Sequence, residues 1–173
     1  MTKLESKKPV PIEQRVFAQN FKAARIAAGL KQQDIHLLTG LAPSYVSDVE
    51  RMVSSVSLDS MAALSHAVKV PLFHLLHPEF PNYYDFDSSA VWQNYESQFD
   101  RSQSLPYERT LFARNFKLAR EATTLKKKDL ENLTGITNES IVRFERAEVA
   151  ISLNNAVKMA QVVGKQLYTI LTP

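Results

Sequence analysis

His74 and His77, three residues apart, are the nearest this sequence comes to a metal site, and no carboxylate or third ligand stands beside them. A zinc-type ion needs more donors than that. Asp85 and Asp87 form a local acidic pair that reads as solvated loop. Serine and histidine occur, but without a nucleophile elbow or HExxH-type spacing. The absence of cysteine excludes disulfides, thiolate metal sites and cysteine nucleophiles, and fits a reducing cytosol. Four glycines leave no glycine-rich phosphate loop. The expectation is a protein without catalysis, metal or cofactor. One run stands out for its chemistry: Lys126, Lys127 and Lys128. At a helix start such a run either meets phosphate or is a solvated charge cluster.

The elements that place these residues come in two sets. Shifting the sequence by 95 positions aligns 11–78 with 106–173 without a gap, and 24 of 68 positions are identical. Phe17/Phe112, Asn20/Asn115, Phe21/Phe116, Arg25/Arg120, Asp34/Asp129, Thr39-Gly40/Thr134-Gly135 and Glu50-Arg51/Glu145-Arg146 are among them. The chain is one small domain written twice (11–78 and 106–173) around a connector, 79–105.

Each copy reads as five short helices. The first opens at Pro11 or Pro106, suited to a first turn. Its apolar face is Ile12, Val16, Phe17, Phe21 and Ala24, with Tyr107, Leu111, Phe112, Phe116 and Ala119 in copy two, at helical spacing. A second helix, about 32–39, stops at Gly40. A third covers about 43–51, a fourth carries Leu58, Met61, Ala62, Ser65 and Val68 on one face, and a short fifth follows Pro71. Nothing alternates with period two for long, so the class is all-α. No apolar run reaches a membrane span, and the polar start Met1–Lys8 is unlike a secretory signal.

The segment Gln32–Arg51, with its counterpart Lys127–Arg146, resembles the helix-turn-helix of the lambda-repressor/Cro-like (XRE-type) family. Glycine lets the chain turn sharply between two short helices, while Leu41, Val46 and Val49 (Ile136, Ile141, Phe144) fill the angle between them. Positions 43, 44, 47 and 48 are left on the opposite face, free to enter a major groove. The resemblance implies base reading by Pro43, Ser44, Ser47 and Asp48 in copy one and by Asn138, Glu139, Val142 and Arg143 in copy two. Arg143 suits a bidentate guanine contact; Asp48 and Glu139 could accept from a cytosine amino group. Phosphate contacts fall to Lys31, Gln32, Gln33 and Tyr45, and to Lys126, Lys127, Lys128 and Ser140. The resemblance further implies structural ion pairs, Arg25 with Glu50 and Arg120 with Glu145. The chain departs from the family pattern in three places. Lysine (Lys31, Lys126) replaces the serine-type cap of the second helix, Ala42 replaces the cap of the recognition helix, and Met52 and Ala147 stand where glycine often ends it.

Charge divides unevenly: residues 1–80 carry +2, 81–106 carry −3 and 107–173 carry +4. The connector holds half of the aromatics within or beside it and a predicted helix at about 88–99, with Val91, Trp92, Tyr95 and Phe99 on one face. Disordered linkers are poor in aromatics, so Trp92, Tyr95 and Phe99 are expected to pack the copies together or to form a homodimer interface.

The expectation is therefore a cytoplasmic, sequence-specific regulator of double-stranded DNA, a repressor associated with the nucleoid when bound. Homodimerisation, RNA polymerase and an unidentified small-molecule or peptide effector are the further partners it admits, and a membrane is not among them. Two alternatives stand beside it: one copy reads DNA while the other mediates dimerisation, or the chain is an antitoxin-like protein-interaction module.

Overall fold

In the computed structural model, which describes residues 10–173, the chain forms eleven helices and no strand among those residues. Residues 1–9, and with them the whole polar start Met1–Lys8, lie outside the described residues. Copy one comprises α1 (Ile12–Ala27), α2 (Gln32–Thr39), α3 (Pro43–Glu50), α4 (Leu58–Val68) and α5 (Leu72–Leu75). The connector adds α6 (Ala90–Glu96). Copy two repeats the set as α7 (Tyr107–Glu121), α8 (Lys127–Thr134), α9 (Asn138–Glu145), α10 (Leu153–Val162) and α11 (Leu167–Ile170). No described helix is long and apolar enough to cross a membrane.

Proline sets each first helix going, because its fixed φ suits the entry and its carbonyl is free. Pro11 O accepts from Gln14 N and Arg15 N at 3.1 and 3.2 Å. The apolar stripe then buries Phe17 and Phe21, with rings stacked at 6.0 Å, as Phe112 and Phe116 stack at 5.8 Å. Each such side chain contributes about 1.5–3 kcal/mol of burial. Asn20 closes the domain by donating to Leu75 O and His77 O, both at 3.0 Å, and Asn115 does the same for Ile170 O and Thr172 O at 2.8 and 3.0 Å. Ile12 departs from the expected core face. It is 67% exposed, because the wall it would pack against is an open groove.

The two copies meet through a reciprocal contact. Leu58 N donates to Ile151 O at 2.8 Å and Leu153 N donates to Val56 O at 2.9 Å, an isolated antiparallel bridge centred on Ser57 and Ser152. Under the 95-residue shift each bond is the image of the other. The helices obey the same rule: α4 packs on α7 as α10 packs on α1, and α5 packs on its own counterpart α11. Contacts in which i meets j and j meets i define a two-fold interface. The copies are thus related by an approximate two-fold axis within one chain, and their apolar cores are continuous.

The connector breaks that symmetry by covering one side only. Its helix is shorter than expected, Ala90–Glu96, and Val91 faces outward. Trp92 and Tyr95 are buried, and Tyr95 meets Phe73 of copy one and Tyr107 of copy two edge-on at 5.9 and 5.5 Å. Half-buried Phe99 stacks on His66 at 4.9 Å. Beneath them Glu108, fully buried, accepts from the Tyr95 hydroxyl at 2.8 Å and lies 2.7 Å from His66 Nε2. Burial, and then the Glu108 carboxylate, push the Tyr95 phenol far above its ordinary range. The candidate interface residues are thus packed within the chain, as are the fifth helices.

Candidate nucleic-acid interface

The turn between α2 and α3 is built by two residues present in both copies. Gly40 adopts φ 74°, and its N–H donates to His36 O at 2.8 Å; Gly135 adopts φ 70° and donates to Glu131 O at 2.9 Å. Glycine takes this left-handed conformation without a Cβ clash. One residue earlier, Thr39 Oγ1 donates to Ile35 O at 2.7 Å and accepts from Leu41 N at 3.1 Å, as Thr134 does with Leu130 O and Ile136 N at the same distances. Ile35, Val46 and Val49, like Leu130, Ile141 and Phe144, are buried in the angle.

The third helix of each copy is tied to its first, α3 to α1 and α9 to α7, by a part-buried ion pair. Arg25 Nε donates to Glu50 Oε1 at 2.5 Å and Arg120 Nε to Glu145 Oε1 at 2.6 Å. A third group joins from the start of the second helix: Gln32 Nε2 donates to Glu50 Oε2 at 3.1 Å, and Lys127 Nζ lies 3.0 Å from Glu145 Oε2. Gln32 and Lys127, expected on phosphate, are therefore held against the glutamate. The exposed side chains at this helix start are Lys31 and Gln33 in copy one and Lys126 and Lys128 in copy two.

The departures at the helix ends resolve physically. Lysine has no acceptor to cap a helix, but Asp34 Oδ2 accepts from Lys31 N and Asp129 Oδ2 from Lys126 N, both at 2.7 Å, closing half of a capping box. Thr137 Oγ1 caps α9 through Ser140 N at 3.3 Å and donates to the Ser140 hydroxyl; α3 has no side-chain cap and opens on Pro43. Beyond α3 and α9, Met52 and Ala147 adopt left-handed φ values of 62° and 55°, the geometry glycine would supply.

The outer faces differ. In copy one Ser44 is exposed while Pro43, Ser47 and Asp48 are half-buried, and Tyr45 lays its ring against the core. Asp48 is engaged, 2.5 Å from Arg51. In copy two Asn138, Glu139 and Arg143 are exposed and Val142 is half-buried. Arg143 and Arg146 lie 3.9 and 3.6 Å from Glu148, loose exposed pairs worth little and easily exchanged. The Asp48–Arg51 pair was readable in the sequence as an i, i+3 opposite-charge spacing; the Glu148 contacts lie beyond the helix and carry no such periodicity.

His74, half of the histidine pair, lies 2.8 Å from the Tyr83 hydroxyl. Burial and then His77 lower its pKa to about 4. No group of three or more potential metal-ligating side chains occurs among the described residues.

Two helix-turn-helix units, each with a short helix facing outward, define a DNA-binding regulator. The profile of the helix-turn-helix family matches residues 21–75 and 116–170, and the chain belongs to that family, of the XRE and lambda-repressor type, in two tandem copies. No curated protein and no solved structure matched the chain significantly.

Proposed function

We propose that this protein is a sequence-specific transcriptional repressor in which one chain presents both reading heads to double-stranded DNA, with α3 and α9 entering successive major grooves. The observation that carries the reading is the reciprocal backbone pair, Leu58 with Ile151 and Leu153 with Val56, which makes the copies an internal two-fold dimer. Paired heads of this class meet half-sites about 10–10.5 base pairs apart, or multiples of that. Because the copies are two-fold related, the half-sites run in opposite directions; because their faces differ, the half-sites are unlike. Arg143 reads guanine, Asp48 and Glu139 accept from cytosine amino groups, and Lys31, Gln33, Lys126 and Lys128 hold phosphates. Binding blocks a promoter, and catalysis has no part in it. A homodimer with four heads would need a surface other than the fifth helices and connector aromatics already engaged within the chain.

A second reading is favoured by one observation. Copy one has an uncapped α3 and an Asp48 engaged by Arg51, which suits a head that supports copy two without reading. Selection of sites from random duplex DNA by the intact protein separates the two. Two unlike motifs, inverted and at helical-turn spacing, support the first reading; a single motif of one half-site's length supports the second. No enrichment, with salt-insensitive weak binding, would overturn both in favour of a protein-interaction module.

A further inference from the structure

The approximate two-fold axis makes two equivalent grooves, and the connector fills only one. In the filled groove α6 lies between α5 and α7: Tyr95 packs on Phe73 and Tyr107 and donates to Glu108. The image of that groove, 95 residues away, lies between α11 and α1 and among the described residues is an open cleft of about 230 Å³. Its walls are the images of the residues around α6. Ile12, Glu13 and Val16 stand for Tyr107, Glu108 and Leu111, while Gln166, Leu167 and Tyr168 stand for Pro71, Leu72 and Phe73. Glu13, half-buried on the wall, occupies the place of the glutamate that takes the Tyr95 hydroxyl.

We infer that the open groove is a docking site for an aromatic amphipathic helix of a partner protein, seated as α6 is seated in the filled groove. The occupant's chemistry follows from α6. It presents aromatic side chains at the spacing of Trp92, Tyr95 and Phe99, one on each successive turn, and its tyrosine hydroxyl donates to Glu13. The flanks differ in charge. Arg15 and Lys165, both exposed and each next in sequence to a lining residue, replace Thr110 and Val70 of the filled side. The partner helix is therefore acidic at its edges, a character that keeps it off DNA. Gln161 replaces His66, so the partner lacks the ring contacts that Trp92 and Phe99 make on the filled side and is held chiefly by its tyrosine. Such a helix reaches a face shared by both copies and is the means by which a protein effector would act on both heads at once.

The probe is a synthetic peptide of residues 88–100 of this chain, titrated into the isotope-labelled full-length protein and followed by NMR. Saturable shifts centred on Ile12, Glu13, Val16, Leu167 and Tyr168 are expected. Ile12→Glu, at an exposed position that leaves the core intact, should weaken binding at least ten-fold. A peptide with Tyr95 replaced by alanine should not bind, and Leu37→Glu, on an exposed apolar site elsewhere, should change nothing. Three results would overturn the proposal: no shifts at millimolar peptide, shifts centred instead on Phe73, Tyr107 and Glu108 because the peptide displaces α6, or protection of the groove by self-association of the chain. DNA affinity is measured separately, so failure here leaves the DNA-binding reading standing.

Discussion

Where copy one carries Asp48, held 2.5 Å from Arg51, copy two carries Arg143, 3.9 Å from its acidic neighbour. At the same helix start copy one has Lys31, Gln32 and Gln33 and copy two has three lysines. Yet the skeleton behind these faces is shared bond for bond: the Arg–Glu pair, the threonine–glycine turn, the asparagine that binds the fifth helix, and the bridge at Ser57 and Ser152. A homodimer must change both heads together. A duplicated chain need not, so its scaffold stays symmetric while the outer faces of α3 and α9 diverge.

The largest effects should come from the shared skeleton. Glu50→Ala leaves Arg25 without an acidic partner, whereas Glu145→Ala leaves Arg120 the exposed Glu121 at 3.6 Å and leaves Lys127 open to solvent. Each should cost up to about 3–5 kcal/mol in urea unfolding, with Glu50→Ala the greater. Equal and negligible losses would mean the pairs are ornamental. On DNA the copies should separate. Arg143→Ala should weaken the selected site by about 1–3 kcal/mol and relax one position, whereas Asp48→Ala should relax its own position and raise non-specific affinity by removing a carboxylate. Replacing Lys126 and Lys128 with glutamine should flatten the salt dependence by about 0.9 in log–log slope per lost phosphate contact, against one such step for Lys31→Gln.

Smaller gains are expected at the exits of α3 and α9. Met52→Gly and Ala147→Gly relieve left-handed backbone at non-glycine residues and should each stabilise by about 0.5–1 kcal/mol, read as a rise in Tm. Smallest is a pH effect confined to copy one, whose His74 is Thr169 in copy two. Its folded pKa of about 4 lies below the usual 6.5, so the fold prefers the neutral ring. Stability is therefore intact above about pH 6.5 and declines as pH falls from there toward 4, where the unfolded chain takes up the proton first. His74→Gln should make that decline shallower in melts between pH 7 and 4.5.

Helices, repeat and turn were legible in the sequence because each is written locally, in apolar spacing, proline starts and glycine stops. The third helix of each copy ends one residue short of the expected bounds, α3 at Glu50 and α9 at Glu145, since Arg51 and Arg146 are their C-caps. What escaped was non-local or compensatory. Ser57 and Ser152 look like ordinary helix caps, and the bridge they centre on appears only when the two copies meet. Glu108 reads as a first-turn acid favoured by the helix dipole, not as a buried acceptor beneath Tyr95. Gln32 and Lys127 look free for phosphate because the glutamates that hold them lie 18 residues further on.

In the proposed function one chain presents two unlike heads about an internal two-fold axis. Its most direct test uses the two half-sites recovered by site selection, rebuilt on DNA in inverted order and as a direct repeat at the same spacing. The inverted arrangement is expected to bind one chain per duplex at least a hundred-fold more tightly than the direct repeat. Equal affinity for both arrangements, or two chains on every inverted site, would contradict it.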